Sequence, residues 1–306
     1  MLKARDVRAT YFLRSTVTTR RKWRQVTVVG CGLIGSSFAL ALKRAQMAER
    51  VLGLDTSASV LDEARARGVI DDVDDALSVG GVSTSDLVYL ATPVLEIVRF
   101  MGERLVQTKP GAIITDAGST KRLVCRAATE HFPPDRYFIG GHPIAGSHQS
   151  GVNHARADLF KEATYVLTTD NSPSQSESFN RVRETVEALG CRVKLMTAVG
   201  HDRALALVSH LPQLVSSALA KTVNEQDDAA TLLALAGPGY KDMTRLADSS
   251  WLMWRDVLAS NPAEIGTALD LIIEKLGSFR DELKRFEARD NAEFDLLRQF
   301  FRDEPF

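Results

Sequence analysis

The stretch Val28-Val29-Gly30-Cys31-Gly32-Leu33-Ile34-Gly35-Ser36-Ser37 decides the fold. Gln25 to Val29 reads as a strand and Leu33 to Met47 as a helix, with the glycines between them. That order is the context a phosphate-binding turn requires. Gly30 permits the tight turn, Gly32 lets backbone approach a pyrophosphate, and Gly35 lets helix and strand pack closely. Leu33 and Ile34 open the helix, whose free amides and partial positive charge suit phosphates. Asp55 follows Gly35 by 20 residues, at the end of a second strand. A carboxylate there accepts from ribose hydroxyls and repels a 2′-phosphate, which predicts NAD over NADP. The alternative use of Asp55 is to cap a helix starting near Ser57.

Outward from this turn, strands and helices alternate. Val51 to Leu54, Leu87 to Ala91 and Ala112 to Thr115 read as strands. Helical patterns follow them over Ser57 to Arg67, Val94 to about Leu105, and Ser119 to His131. Such alternation argues for a parallel sheet covered by helices. Tyr137 to Ile139, Thr164 to Leu167 and Arg192 to Leu195 look like further strands, and Asp170-Asn171-Ser172-Pro173-Ser174 is turn chemistry before a helix to about Leu189. In a doubly wound sheet, ligands bind outside the carboxyl ends of strands. Thr92 and Pro93 after the third strand, and Asp116 after the fourth, are therefore candidate cofactor contacts; both places also suit a plain helix start.

After Thr197 strand signals stop. Ala198 to Asn224 has helical periodicity, and Pro212 predicts a kink within it. A helical pattern resumes at Pro262 and persists to about Arg302, with Gly277 and Asn291 as candidate breaks. A continuous helix of that length is atypical of a monomeric globule. The expected organisation is a basic, mobile extension over 1–23, a dinucleotide-binding domain over 24–197, and an all-helical domain over 198–306 that packs against a second subunit.

Composition narrows the partners. The 306 residues carry 38 Lys and Arg against 39 Asp and Glu, a formal net charge of −1. No overall basic field attracts nucleic acid or an anionic membrane. No apolar run reaches the roughly 18 residues a membrane helix requires. Cys31, Cys125 and Cys191 lie far apart, which fits neither a disulfide framework nor a zinc site and points to a reducing cytoplasm. The first two dozen residues hold eight basic side chains against Asp6, with no secretory apolar region after them. They read as a docking arm or as a solvated tail.

Gly140-Gly141-His142-Pro143-Ile144-Ala145-Gly146-Ser147 is an unusual string. A histidine between glycines and a proline cannot sit mid-helix; it is expected on a short loop after a strand, where its ring can be aimed. GCGLIGSSFALAL (30–42), TDAGSTK (115–121), GGHPIAGS (140–147), SHLPQLVSSAL (209–219) and GPGYKDMTRLADSS…MWRD (237–256) succeed one another in this order. With these, the chain from Val26 to Pro262 resembles the prephenate and arogenate dehydrogenases of tyrosine biosynthesis. The resemblance implies a Rossmann domain, a helical dimerisation domain and an active site between them. It implies oxidative decarboxylation of a cyclohexadienol with NAD, in a homodimer; the alternatives are a dehydrogenase of 4-amino-4-deoxyprephenate, with an amine at ring C4, and a non-catalytic NAD-binding sensor.

Residue by residue, the resemblance implies roles. His142 matches the catalytic histidine that accepts the ring hydroxyl proton, and Ser119 the serine that bonds that hydroxyl and orients the histidine. Arg245 matches the arginine that binds a substrate carboxylate; two parallel guanidinium bonds would make Arg245→Lys costly. Lys241 and Trp254 match a basic and an aromatic residue near the dimer-related mouth of the site, with a surface charge and a core aromatic as the alternatives. His201 opens the long helix, to close over substrate or to cap the helix start, and His210 lies beside Pro212 near the pocket. Two positions depart from the pattern. Gln213 stands where many members carry a substrate-contacting histidine, and His148 where several carry an acidic gate. Both leave the choice between prephenate and arogenate open. Some relatives carry a further regulatory domain; here tyrosine feedback would act at the active site.

Overall fold

The computed structural model describes residues 21–73, 82–146, 149–171 and 176–287. Val26, Val28 and Val29 bury both faces of the first strand, as expected for a central strand of a covered parallel sheet. The strands and helices of this domain are β1 (Trp23–Val29), α1 (Leu33–Arg44), β2 (Ala48–Leu54), α2 (Ala58–Ala66), β3 (Asp72–Val73), β4 (Leu87–Leu90), α3 (Val94–Arg104), β5 (Ile113–Asp116), α4 (Arg122–His131) and β6 (Tyr137–Ile139). The six strands are parallel, in the order β3-β2-β1-β4-β5-β6. Strand order reverses between β1 and β4, so a ligand crevice opens at their carboxyl ends.

Two cores lie on the two faces. One gathers Phe38 and Leu42 of α1, Leu61 of α2, and Phe179 and Val182 of α5 (Glu177–Ala188). The other gathers Ile97 and Phe100 of α3 with Val124 and Ala128 of α4. A second, three-stranded sheet follows: β7 (Gly141–Ile144), β8 (Thr164–Thr168) and β9 (Arg192–Met196), with β7 antiparallel and β9 parallel to β8. The rest of the described chain is helical: α6 (Ala198–Leu205), a π-turn (Ala206–His210), α7 (Leu211–Asn224), α8 (Ala229–Ala234), α9 (Pro238–Thr244), a 3₁₀ turn (Arg245–Asp248), α10 (Trp251–Ser260) and α11 (Pro262–Glu287).

The structure corrects several boundaries. Trp23 is not part of a mobile extension but the first residue of β1. It is fully buried, its indole N–H donates to Thr185 Oγ1 at 2.9 Å, and the Arg181 guanidinium lies 3.5 Å over its ring. Helix α4 starts at Arg122, not Ser119, because the Gly118 amide bonds back to Asp116 Oδ2 at 2.8 Å and holds the following residues in a turn. The kink expected at Pro212 takes the form of the preceding π-turn, where the Leu211 amide reaches back five residues to Ala206 O. Gly277 does not break α11, which runs through it for 26 residues. Strands β3 and β7 had no sequence signal. Residues 1–20, the tip of the 170–174 turn, His148, Asn291 and the helical pattern beyond Glu287 lie outside the described residues.

Candidate active site

A cleft of about 660 Å³ opens where the crevice was expected, lined by Gly30, Gly32, Asp55, Thr56, Thr92 and Pro93 among others. The glycines divide their work. Gly30 has φ of +90°, and a Cβ there would meet Ala91 O at 2.7 Å. A Cβ on Gly35 would sit 1.9 Å from Gly30 O. Both are demanded by the turn itself. Gly32 is different: a Cβ there would meet nothing within 4 Å. Its bare backbone faces open space in the cleft, beside the first turn of α1 at Leu33 and Ile34, which is where a pyrophosphate would lie.

Asp55 braces the glycine turn and the residue before α2. Its Oδ2 accepts from the Cys31 amide at 2.8 Å and its Oδ1 from the Ser57 amide at 3.0 Å. A carboxylate has further lone pairs, so the group remains able to accept from a ribose at the cleft wall. The residues present therefore fit a dinucleotide. Asp116 does not line the cleft. It is fully buried, pairs with the buried ammonium of Lys121, and accepts from Gly118 N and, at 2.9 Å, from Gly141 N. Its expected cofactor contact is replaced by a structural one, because a buried carboxylate requires several donors.

From Gly141 the chain enters β7. A Cβ on Gly140 would lie 2.5 Å from Thr168 Oγ1, and one on Gly141 would lie 2.6 Å from Asp116 O. Only glycines let the chain pass this closely between the two sheets. His142 therefore sits in a strand, opposite Val166, and not on a loop. Pro143 is tolerated because β7 is an edge strand. The half-buried imidazole contacts His201: His142 Nδ1 and His201 Nε2 are 2.8 Å apart. His201 Nδ1 is in turn 2.7 Å from Asp202 Oδ1. Burial first, then the neighbouring His201, Lys121 and His210, holds the His142 pKa well below 6.5.

His201 is fully buried with both ring nitrogens engaged, so it neither closes over substrate nor caps its helix. That cap is Thr197, whose hydroxyl accepts from the Gly200 amide at 3.1 Å. Ser119 is half-buried between β5 and α4, and no hydrogen bond joins it to His142 in this structure. His210 lies on the π-turn, 2 % exposed, edge-on to Trp254 with ring centroids 5.8 Å apart. Its Nδ1 and the Trp254 Nε1 have no hydrogen-bond partner among the described residues. Burial lowers the His210 pKa to about 4.

Gln213 is spent internally. Its amide donates to Leu246 O at 2.7 Å and to Ser217 Oγ at 3.3 Å, and its carbonyl accepts from Ser249 Oγ at 3.1 Å. It ties α7 to the turn that carries Arg245, instead of presenting a free amide to substrate. Arg245 and Lys241 are exposed, and neither side chain is hydrogen-bonded or ion-paired among the described residues.

Two carboxylates of the helical domain were not among the expected site residues. Asp202 accepts from the Lys121 amide at 2.7 Å and the Arg122 amide at 2.9 Å, capping α4 across the domain boundary. Asp256 of α10 accepts from the Leu95 amide at 3.3 Å, at the start of α3. The Asn261 amide side chain also donates to Asp202 O at 2.9 Å. The sequence signals were the pair His201-Asp202 in the first turns of a helix and the aspartate that ends the MWRD segment.

Residues 38–195 match the family described as "Prephenate dehydrogenase, nucleotide-binding domain", and residues 197–302 match "Prephenate dehydrogenase, dimerization domain". The chain belongs to the prephenate dehydrogenase family. The prephenate dehydrogenase of Lactococcus lactis is 36% identical over 268 residues, covering 85% of this chain and 69% of its own length. That of Bacillus subtilis is 34% identical over 278 residues, covering 90% and 73%. Among solved structures, prephenate dehydrogenase from Aquifex aeolicus in complex with hydroxyphenyl propionate and NAD+ superposes with a TM-score of 0.79 at 28% identity, covering 87% of this chain and 93% of that one. A Synechocystis arogenate dehydrogenase gives 0.74 at 28% identity, covering 86% and 93%. A 3-hydroxyisobutyrate dehydrogenase from Salmonella typhimurium, at 17% identity and a TM-score of 0.51, shares the fold alone. As in the rest of this family, a Rossmann domain here precedes a helical dimerisation domain.

Proposed function

We propose that this family member oxidatively decarboxylates prephenate with NAD to 4-hydroxyphenylpyruvate, as a homodimer in the cytoplasm. The observation that carries the reading is His142. Its neighbour Gly141 is bonded to Asp116 at the carboxyl end of β5, and the dinucleotide cleft opens at the carboxyl ends of β1 and β4 of the same sheet, which supports His142 as the group that faces the cofactor. Its depressed pKa keeps it neutral, as a base must be.

Bound NAD supplies the hydride acceptor. Gly32 and the first turn of α1 would hold the pyrophosphate, and Asp55 would accept from the ribose. His142 takes the C4 hydroxyl proton as hydride leaves C4 and the ring carboxylate departs as carbon dioxide. The electron pair of the broken carbon–carbon bond enters the ring, which becomes aromatic. His142 then returns the proton to the phenolic oxygen. Arg245, whose guanidinium has no partner among the described residues, anchors a substrate carboxylate. Ser119 bonds the substrate hydroxyl. A positioned base contributes about 10²- to 10⁴-fold.

Arogenate is the second reading, favoured by the likeness to the Synechocystis enzyme. It differs by an amino acid in place of the keto acid. Steady-state kinetics with both substrates, followed by absorbance of the reduced cofactor, decide between them. Prephenate turnover with NAD well above NADP is expected. A preference for NADP would overturn the role of Asp55. No turnover of prephenate, arogenate or the 4-amino analogue would overturn the enzyme reading in favour of an NAD-binding sensor.

A further inference from the structure

Backbone amides can only donate hydrogen bonds. Lys121 N donates to Asp202 Oδ1 and Arg122 N to Asp202 Oδ2, so both oxygens act as acceptors. His201 Nδ1, 2.7 Å from Oδ1, must then carry the hydrogen. A neutral imidazole has one N–H, which leaves His201 Nε2 with a lone pair. His142 Nδ1 lies 2.8 Å from that lone pair and must itself carry a hydrogen. The remaining nitrogen of His142, Nε2, is therefore the one with the free lone pair.

We propose that Asp202 and His201 are positioning residues that set the tautomer of His142, so that Nε2 is the basic nitrogen presented to the substrate hydroxyl. The assignment rests on His142 being the base. It extends that reading to the helical domain, because both positioning residues belong to α6 while His142 belongs to β7. When Nε2 gains the substrate proton, His142 carries N–H on both nitrogens and becomes a cation. The Nδ1 hydrogen then points at His201, whose other side faces the Asp202 carboxylate. No second proton transfer is needed. The proton stays on His142 until it returns to the phenolic oxygen, and the buried carboxylate stabilises the charge meanwhile. The same carboxylate caps α4, so the base is correctly protonated only when the helical domain is docked on the nucleotide-binding domain.

The tautomer can be read without substrate or cofactor. In ¹⁵N-histidine-labelled full-length protein at neutral pH, long-range proton–nitrogen correlation distinguishes the two neutral tautomers, with His142 assigned by its disappearance in His142→Asn. Nδ1–H at both His142 and His201 is expected. Nε2–H at His142 would overturn the proposal, whatever the enzyme turns over. A second arm uses two substitutions at position 201. A glutamine carbonyl reaches the place of Nε2 and can accept from His142 Nδ1–H; an asparagine reaches only the place of Nδ1. His201→Asn is expected to lose on the order of 10²-fold or more in kcat with NAD affinity retained. His201→Gln should recover most of that loss, with the same thermal midpoint as His201→Asn. Equal kcat in the two variants would show that His201 only fills space, and would overturn the proposal while leaving His142 as base.

Discussion

At the scale of single residues, the decisive quantity is the charge state of His142. A general base must be neutral to accept a proton, so kcat/KM falls as pH drops through its pKa. Burial and the facing His201, Lys121 and His210 all disfavour the imidazolium. The acid limb of the profile is therefore expected below pH 6.5, with the rate still on its plateau at 6.5. A limb at or above 6.5 would contradict this. Stability follows the same sign. A histidine whose folded pKa is lowered stabilises the fold above the unfolded value, and that stability is lost as pH falls. His210, at about 4, adds to this loss between roughly 6.5 and 4. The string around His142 stood out in the sequence because glycines and a proline around a histidine are rare, but its place in a strand did not. Its partners were not. Asp202 meets the Lys121 and Arg122 amides across 81 and 80 positions of chain, and no local pattern encodes such a contact. Gln213 illustrates the converse. Its position suggested a substrate contact, but its hydrogen bonds to Leu246, Ser217 and Ser249 are fixed by packing that the sequence does not display.

At the scale of elements, the β1–α1 turn separates two kinds of glycine. Gly35→Ala would drive a Cβ to 1.9 Å from a backbone oxygen that cannot move without opening the turn. It is expected to lower the stability of the whole protein by several kcal/mol, within the range of severe steric substitutions. Gly32→Ala adds a methyl group to open space in the cleft. It should leave the melting temperature within a degree or two and weaken NAD binding on the order of tenfold or more, as the methyl group occupies the pyrophosphate's approach. Thermal unfolding without cofactor and titration with NAD separate the two effects. A Gly32→Ala protein that binds NAD normally would remove that residue from the cofactor site. This strand-turn-helix was readable in outline because its strand, glycines, helix and Asp55 lie within one short unit whose spacing is set by local geometry, although β1 begins at Trp23 and α1 ends at Arg44. The second sheet was only half readable. β8 carries an apolar run and β9 alternates charged with apolar residues, whereas β7 consists of Gly141-His142-Pro143-Ile144 and pairs only because Gly140 and Gly141 bring it alongside β8.

At the scale of the whole molecule, the two domains are unequally provisioned with core. The nucleotide-binding domain has two large clusters, one on each face of its sheet. The helical domain has a small one, built on Ala206, Ile265 and Ala268 with Leu211, Leu214, Leu258 and Leu269 against it. Several of its large apolar side chains face outward: Trp251 is 65% exposed, Leu252 66%, Ile273 63% and Leu276 59%. A helix that is apolar on a face requires something to bury that face, and exposed large apolar side chains on two successive helices point to an interaction site. The match of residues 197–302 to a dimerisation domain supports a dimer, and a second copy is the cover proposed for this face. Sedimentation at micromolar concentration should therefore give twice the chain mass. Replacing Ile273 and Leu276 together with glutamate puts charge where the partner must pack. The double variant is expected to sediment as a monomer and to retain a folded, NAD-binding Rossmann domain, because neither residue belongs to that domain's cores. A wild-type monomer, or a double variant that stays dimeric, would move the interface away from this face of α11.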